Sequence, residues 1–157
     1  MSPSVPAKEP SAIGFNVYLS GEIHTEWRDE IKRGAEAAGL DIVFTAPVTD
    51  HPASDAAGDH LGETSSQFWR DHQSSKVNAI RTRTVIEKSD FVVVRVGDKY
   101  KQWNAAFDSG YCAALGKPYA TLHDEGIVHP LKEVDAAKGW CQSTGQVVET
   151  LRYVLQA

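Results

Sequence analysis

From Ile13 the chain begins to alternate: Phe15, Val17 and Leu19 are separated by Asn16 and Tyr18, and the run ends at Ser20-Gly21. That is the pattern of a strand closing in a turn. Trp27, Ile31, Ala35 and Ala38 then recur at helical spacing, which predicts a helix over 26–38 capped by Thr25 and stopped by Gly39. A strand at 41–45 leads through Pro47 into a long stretch rich in Asp, His, Gly and Ser, expected to form an irregular functional loop over 47–66. A helical pattern follows over 69–88, with Val77, Ile80, Thr84 and Val85 on one side. The segment FVVVRV at 91–96 is an almost unbroken β-branched run, as in a strand covered on both faces. A helix over 104–115, a Gly116-Lys117-Pro118 break and a strand at 119–122 come next, then a short helix over 129–137, a last strand at 139–142 and a helix over 146–155.

Strands alternating with helices imply a parallel sheet joined by right-handed crossovers. The expected fold class is therefore α/β: a three-layer, flavodoxin-like or Rossmann-like sandwich of about five parallel strands with helices on both faces. With 157 residues the chain has room for one hydrophobic core, placed over 13–157. Residues 1–12 carry three prolines among small and polar residues and are expected to be a flexible tail.

Composition narrows the partners. A net charge of −5 argues against gripping nucleic acid through its phosphates, and a small-molecule ligand is expected instead. Cys112 and Cys141 are too few for a disulfide framework and lie among apolar or small residues, which suits reduced thiols in the cytoplasm. No apolar run approaches the roughly 20 residues that span a bilayer, and the amino terminus lacks a signal-peptide pattern. No membrane partner is expected.

Several occupants of this architecture are excluded by missing residues. A single glycine in YLSGEIH cannot make the backbone cradle for a dinucleotide pyrophosphate, and no Walker A segment exists. Glu22 stands without the acidic pair of a phospho-acceptor domain, and the six histidines show no metal-ligand spacing. No cofactor and no metal are expected.

Ligands of parallel α/β sheets bind beyond the carboxyl ends of the strands. There the chain places Gly21, Glu22, His24 and Trp27 after the first strand and Thr49, Asp50 and His51 after the second. Lys99, Tyr100, Trp103, Asn104 and Asp108 follow the central strand. Asp108, in the first turns of a helix, is a candidate nucleophile or base; as an acidic residue near a helix N-terminus it is equally a favourable partner of the dipole. Trp103, between polar neighbours, suits a cavity wall, whereas Trp27 also fits the core stripe of its helix. Arg81 and Arg83 have the chemistry to hold a phosphate, or to form a solvated face.

The segments YLSGEIH, TDH, SKVNAIRT and KYKQWNAAFDSGYCAALGKP resemble the YtoQ group of the nucleoside 2-deoxyribosyltransferase superfamily, over about residues 15–156. The resemblance implies chemistry at an N-glycosidic bond. In better known members a Glu after the central strand attacks the anomeric carbon of the sugar, and a free base or water then accepts the glycosyl group. Asp108 stands where that Glu would be, with Gly110 and Ala113 matching the glycine and alanine that follow it. Tyr18-Leu19-Ser20-Gly21 resembles the family turn Tyr-Leu-Ala-Gly beside the nucleoside. On this reading Tyr18 and Asn104 orient the sugar, Trp103 stacks on the base, and Asp50 or His51 handles the proton, with Gly21, Glu22, Tyr100 and Arg81 completing the substrate site. Homodimers or higher homo-oligomers are also implied.

Two departures from the family stand out. Asp is shorter than Glu by one C–C bond of about 1.5 Å, and the usual acidic partner before the nucleophile is replaced by the neutral Gln102-Trp103-Asn104. The alternative reading is a non-catalytic module that binds a nucleotide-like ligand in the same cleft.

Overall fold

The structure is a computed structural model that describes residues 14–99, 102–136 and 139–156. Five parallel strands, β1 (Phe15–Gly21), β2 (Ile42–Thr45), β3 (Phe91–Arg95), β4 (Tyr119–Leu122) and β5 (Gly139–Cys141), form one sheet in the order β2-β1-β3-β4-β5. This is the flavodoxin-like order, with the switch of direction between β1 and β3. Six α-helices are found among the described residues: α1 (Trp27–Ala37), α2 (His51–Asp55), α3 (Gln67–Lys88), α4 (Trp103–Leu115), α5 (Lys132–Ala136) and α6 (Thr144–Val154).

Strand alternation sorts side chains to the two faces. Val17, Leu19 and Val93 pack with Trp27 and Ile31 of α1 and with Val147 and Leu151 of α6. Tyr18, Val92 and Val94 pack on the other face with Ile86 of α3 and with Ala105 and Cys112 of α4. Val92, Val93 and Val94 are fully buried, so the central strand is covered on both sides as its sequence predicts; each contributes roughly 1.5–3 kcal/mol by leaving water. At Gly34 a Cβ would lie 2.9 Å from Val148 Cγ2, so this glycine permits the close approach of α1 and α6.

Differences from the predicted elements have local causes. Thr25 does not cap α1: the cap position is Glu26, without a side-chain bond, because the Thr25 hydroxyl donates to Glu22 Oε2 at 2.6 Å. The stretch over 47–66 is not irregular throughout. It contains α2 and a 3-10 turn at Asp59–Leu61, and both lean on α3. Asn78 Nδ2 donates to Ser54 O, Gly58 N–H donates to Ser74 Oγ, and Arg70 makes a two-pronged bond to Asp59.

The inner stripe of α3 also differs from expectation. Ile80 and Thr84 are exposed, whereas Val85 packs against the core as expected and Val77 is half-buried; the further positions turned toward the body of the protein are Ser74, Asn78, Thr82 and Ile86. Three of these four are polar because most of this stripe borders a cavity and not the core. Cys112 and Cys141 are buried free thiols. Among the described residues no helix is long and apolar enough to cross a membrane.

Candidate functional site

The cavity has a volume of about 690 Å³ and lies beyond the carboxyl ends of β1 and β2, between α3 and the start of α4. Its floor comes from the chain switch between β1 and β3. Gly21, at φ +105, pairs with Arg95, and a Cβ there would sit 2.0 Å from Arg95 O. Only glycine fits. Arg28, buried on α1, then gathers the carbonyls of the turn: it donates to Leu19 O at 3.0 Å, Glu22 O at 2.6 Å and Gly21 O at 3.1 Å. Burial pulls the Arg28 guanidinium down to about 10, and its face lies 4.5 Å over the Trp27 ring.

Asp108 projects into this floor from α4 and is 8% exposed. Its Oδ2 accepts a 2.5 Å hydrogen bond from Ser20 Oγ, itself fully buried on β1. Burial raises the Asp108 carboxyl above its ordinary value, and the Ser20 bond draws it partly back. Tyr18 lines the same floor with its side chain 1% exposed. Burial, and after it the charge of Asp108, push its phenol up to about 12, against smaller opposing effects from Thr82 and Arg81. The phenol is thus a neutral donor at physiological pH.

Glu22 also lines the cavity, but its carboxylate is used locally. It accepts from Thr25 Oγ1 and from the backbone N–H of His24. Burial raises its pKa, and these bonds together with the Arg95 charge outweigh that effect, leaving Glu22 below the ordinary carboxylate value. It is an ionised acceptor that shapes the turn.

Of the residues singled out in the sequence, Tyr18, Gly21, Glu22, His24, His51, Arg81, Arg83, Trp103, Asn104 and Asp108 converge on the cavity. Arg81 donates to Ala46 O at 3.0 Å, which ties α3 to the end of β2. Trp103 is 73% exposed at the cavity rim, with Phe107 one turn further along α4. Asp50 is not among the lining residues: its carboxylate accepts from Ala53 N–H at 2.8 Å and caps α2. Tyr100 lies outside the described residues. Among those described, no three His, Cys, Asp or Glu side chains converge as metal ligands.

The sequence reading missed Ser20, Arg28 and the polar stripe Ser74-Asn78-Thr82. The stripe was visible as polar residues at i, i+4 and i+8, turned away from the exposed Ile80 and Thr84. A second buried polar group was also missed. His123, fully buried at the end of β4, bonds Asp135 Oδ2 at 2.8 Å and stacks on Trp140, while Thr121 donates to Asp135 Oδ1 at 2.7 Å. It braces β4 against α5.

The sheet order and the cavity at its switch point define a flavodoxin-like α/β protein with a candidate small-molecule cleft. The family described as Nucleoside 2-deoxyribosyltransferase YtoQ matches residues 18–155, and the chain belongs to it. It is similar to the uncharacterized protein YtoQ of Bacillus subtilis (strain 168), with 38% identity covering 90% of this chain and 97% of the relative. Among solved structures it is similar to a conserved protein from Enterococcus faecalis V583, with TM-score 0.62 and 14% identity over 91% of this chain and 100% of that one. A second is a 2-deoxyribosyltransferase from the psychrotolerant bacterium Bacillus psychrosaccharolyticus, with TM-score 0.50 and 19% identity over 87% and 95% of the two chains. At these identities the two structures support the fold.

Proposed function

We propose that the protein cleaves or transfers across the N-glycosidic bond of a nucleoside or nucleotide, with Asp108 as nucleophile. The observation that carries this reading is the buried Asp108 carboxylate on the floor of a nucleoside-sized cavity, with one oxygen held by Ser20. The free oxygen attacks the anomeric carbon while the C–N bond breaks and its electron pair leaves with the base, which takes a proton. Water or a second base then attacks the same carbon, gives its proton to the group that protonated the leaving base, releases the carboxylate and restores the starting configuration. His51, at the first position of α2 and on the cavity wall, is the proton donor of this scheme; the Asp50 carboxylate already serves as a cap. Tyr18 and Asn104 orient the sugar and Trp103 stacks on the base.

The reaction needs no cofactor and takes place in the cytoplasm. Assembly into homo-oligomers is part of the same reading, supported by the exposure of Trp103 and Phe107 at the rim, and sedimentation velocity tests it.

One observation favours the non-catalytic reading: burial raises the Asp108 pKa, which favours a protonated group able only to hydrogen-bond a ligand. Incubation with deoxynucleosides, ribonucleosides and their 5′-monophosphates, with and without a free acceptor base, separates the two. Base release or exchange that Asp108→Ala abolishes supports the enzyme. No turnover with a ligand-induced rise in Tm leaves a binding module.

A further inference from the structure

We propose that Ser20 is the positioning residue for Asp108, its buried hydroxyl pinning one carboxylate oxygen while the other oxygen is left for the ligand. The inference rests on the reading of Asp108 given under Proposed function and adds a residue to it.

Ser20 and Tyr18 are two residues apart on β1 and so share the face that packs on α4. Ser20 pairs with Val94 of β3 in the middle of the sheet, so its backbone is held from both sides and its side chain has little freedom. The hydroxyl is fully buried and lies 2.5 Å from Asp108 Oδ2, the length of a strong bond to an ionised acceptor. Around the carboxylate the remaining neighbours offer less: the Tyr18 phenol is engaged with Thr82, and the hydrogen bond that bears on Asp108 comes from Ser20. Ala105 and Cys112 on α4 are an apolar side chain and a thiol pushed up to about 12 by burial. Among the described residues no cation pairs with Asp108: Arg28 is spent on β1 and turn carbonyls, and Arg81 on Ala46 O.

A carboxylate in such a place favours its neutral form unless a donor offsets the burial, and a neutral carboxyl is a poor nucleophile. Ser20 is the neighbour that supplies this donor, and it opposes the burial in setting the protonation of Asp108. It also selects a rotamer. With Oδ2 engaged, Oδ1 is the oxygen available to the cavity, and the carboxylate cannot rotate without breaking the bond.

The test uses Ser20→Ala, which removes the donor, and Ser20→Thr, which keeps it. NMR titration of the aspartate side-chain carboxyl carbons, with Asp108→Asn to assign the resonance, reads the group directly and requires no turnover. In Ser20→Ala the Asp108 titration moves to higher pH, and in Ser20→Thr it stays with wild type. On a substrate found in the panel, Ser20→Ala lowers kcat by roughly ten- to a hundredfold, the rate equivalent of one hydrogen bond to a charged group. KM stays within about twofold, and the acidic limb of the kcat profile shifts upward in pH. An unchanged Asp108 titration in Ser20→Ala overturns the assignment, whatever the activity. Absence of turnover in the wild type with a shifted titration removes the catalytic reading of Asp108 and upholds Ser20 as the residue that sets its charge.

Discussion

Tyr18 and Asp108 meet on the floor of the cavity, where the buried carboxylate adds to burial itself in pushing the Tyr18 phenol up to about 12. The two groups stand in a fixed relation: the phenol keeps its proton, and the carboxylate beside it becomes harder to ionise as water is excluded. Tyr18→Phe therefore removes a neutral donor without changing the charge of the site. We expect kcat/KM to fall by about tenfold, as for loss of a neutral hydrogen bond of about 1 kcal/mol or slightly more. Urea unfolding of the same variant should show a loss of no more than about 1 kcal/mol, because the ring stays packed.

Burial of Asp108 also has a thermodynamic signature. Its pKa is raised in the folded protein, so the native state holds a proton that the unfolded chain releases, and stability falls as pH rises between the two values. Asp108→Asn, which keeps the shape and can still accept from Ser20, abolishes this dependence. The variant should melt above wild type at neutral pH, and the gap should close below about pH 4, where aspartate is protonated in both states. Thermal melts of the two proteins across pH 3–8 check this, and a constant gap would contradict it.

Gly21→Ala tests the turn after β1. The added Cβ would sit 2.0 Å from Arg95 O at a φ of +105, so the pairing of β1 with β3 has to break locally. Loss of several kcal/mol is expected, on the order of the larger single-site effects known. Circular dichroism and urea unfolding should show a protein that is partly or wholly unfolded.

Asp135→Ala leaves the fully buried His123 without its carboxylate partner. A buried polar group stranded in this way costs about 1–3 kcal/mol. Because His123 braces β4 from outside the cavity, a ligand that raises the wild-type Tm should raise the variant Tm by a similar amount.

The architecture was legible because its signals are local. FVVVRV announces a central strand whichever residues it later meets, and Gly116 ends α4 in the left-handed conformation its position suggests. The candidate site was legible in part for the same reason: Gly21 closes β1 and Asp108 comes after β3, and the ends of parallel strands gather on one edge, whereas Tyr18 was singled out by the family resemblance. Helix α3 was misread where the apolar residues mislead. Ile80 and Thr84 looked like part of its inner face, whereas the helix turns Ser74, Asn78 and Thr82 inward because a cavity lies there, and no property of the helix alone reveals that.

The resemblance to the family gave Asp108 a role, but its partner required three dimensions. Ser20 and Asp108 are 88 positions apart, and neither carries a mark of the other. Arg28 reads as one more polar residue of an amphipathic helix until its guanidinium is seen to collect three carbonyls of the strand before it.

By itself the sequence determined the order of strands and helices, the glycine at the β1 turn and the edge of the sheet where the cavity lies, since periodicity, backbone sterics and crossover handedness act over short stretches. Which side chains touch, which carboxylate is stripped of water and which hydroxyl steadies it were decided only when the crossovers closed, because burial and hydrogen bonding depend on distance in space and not along the chain.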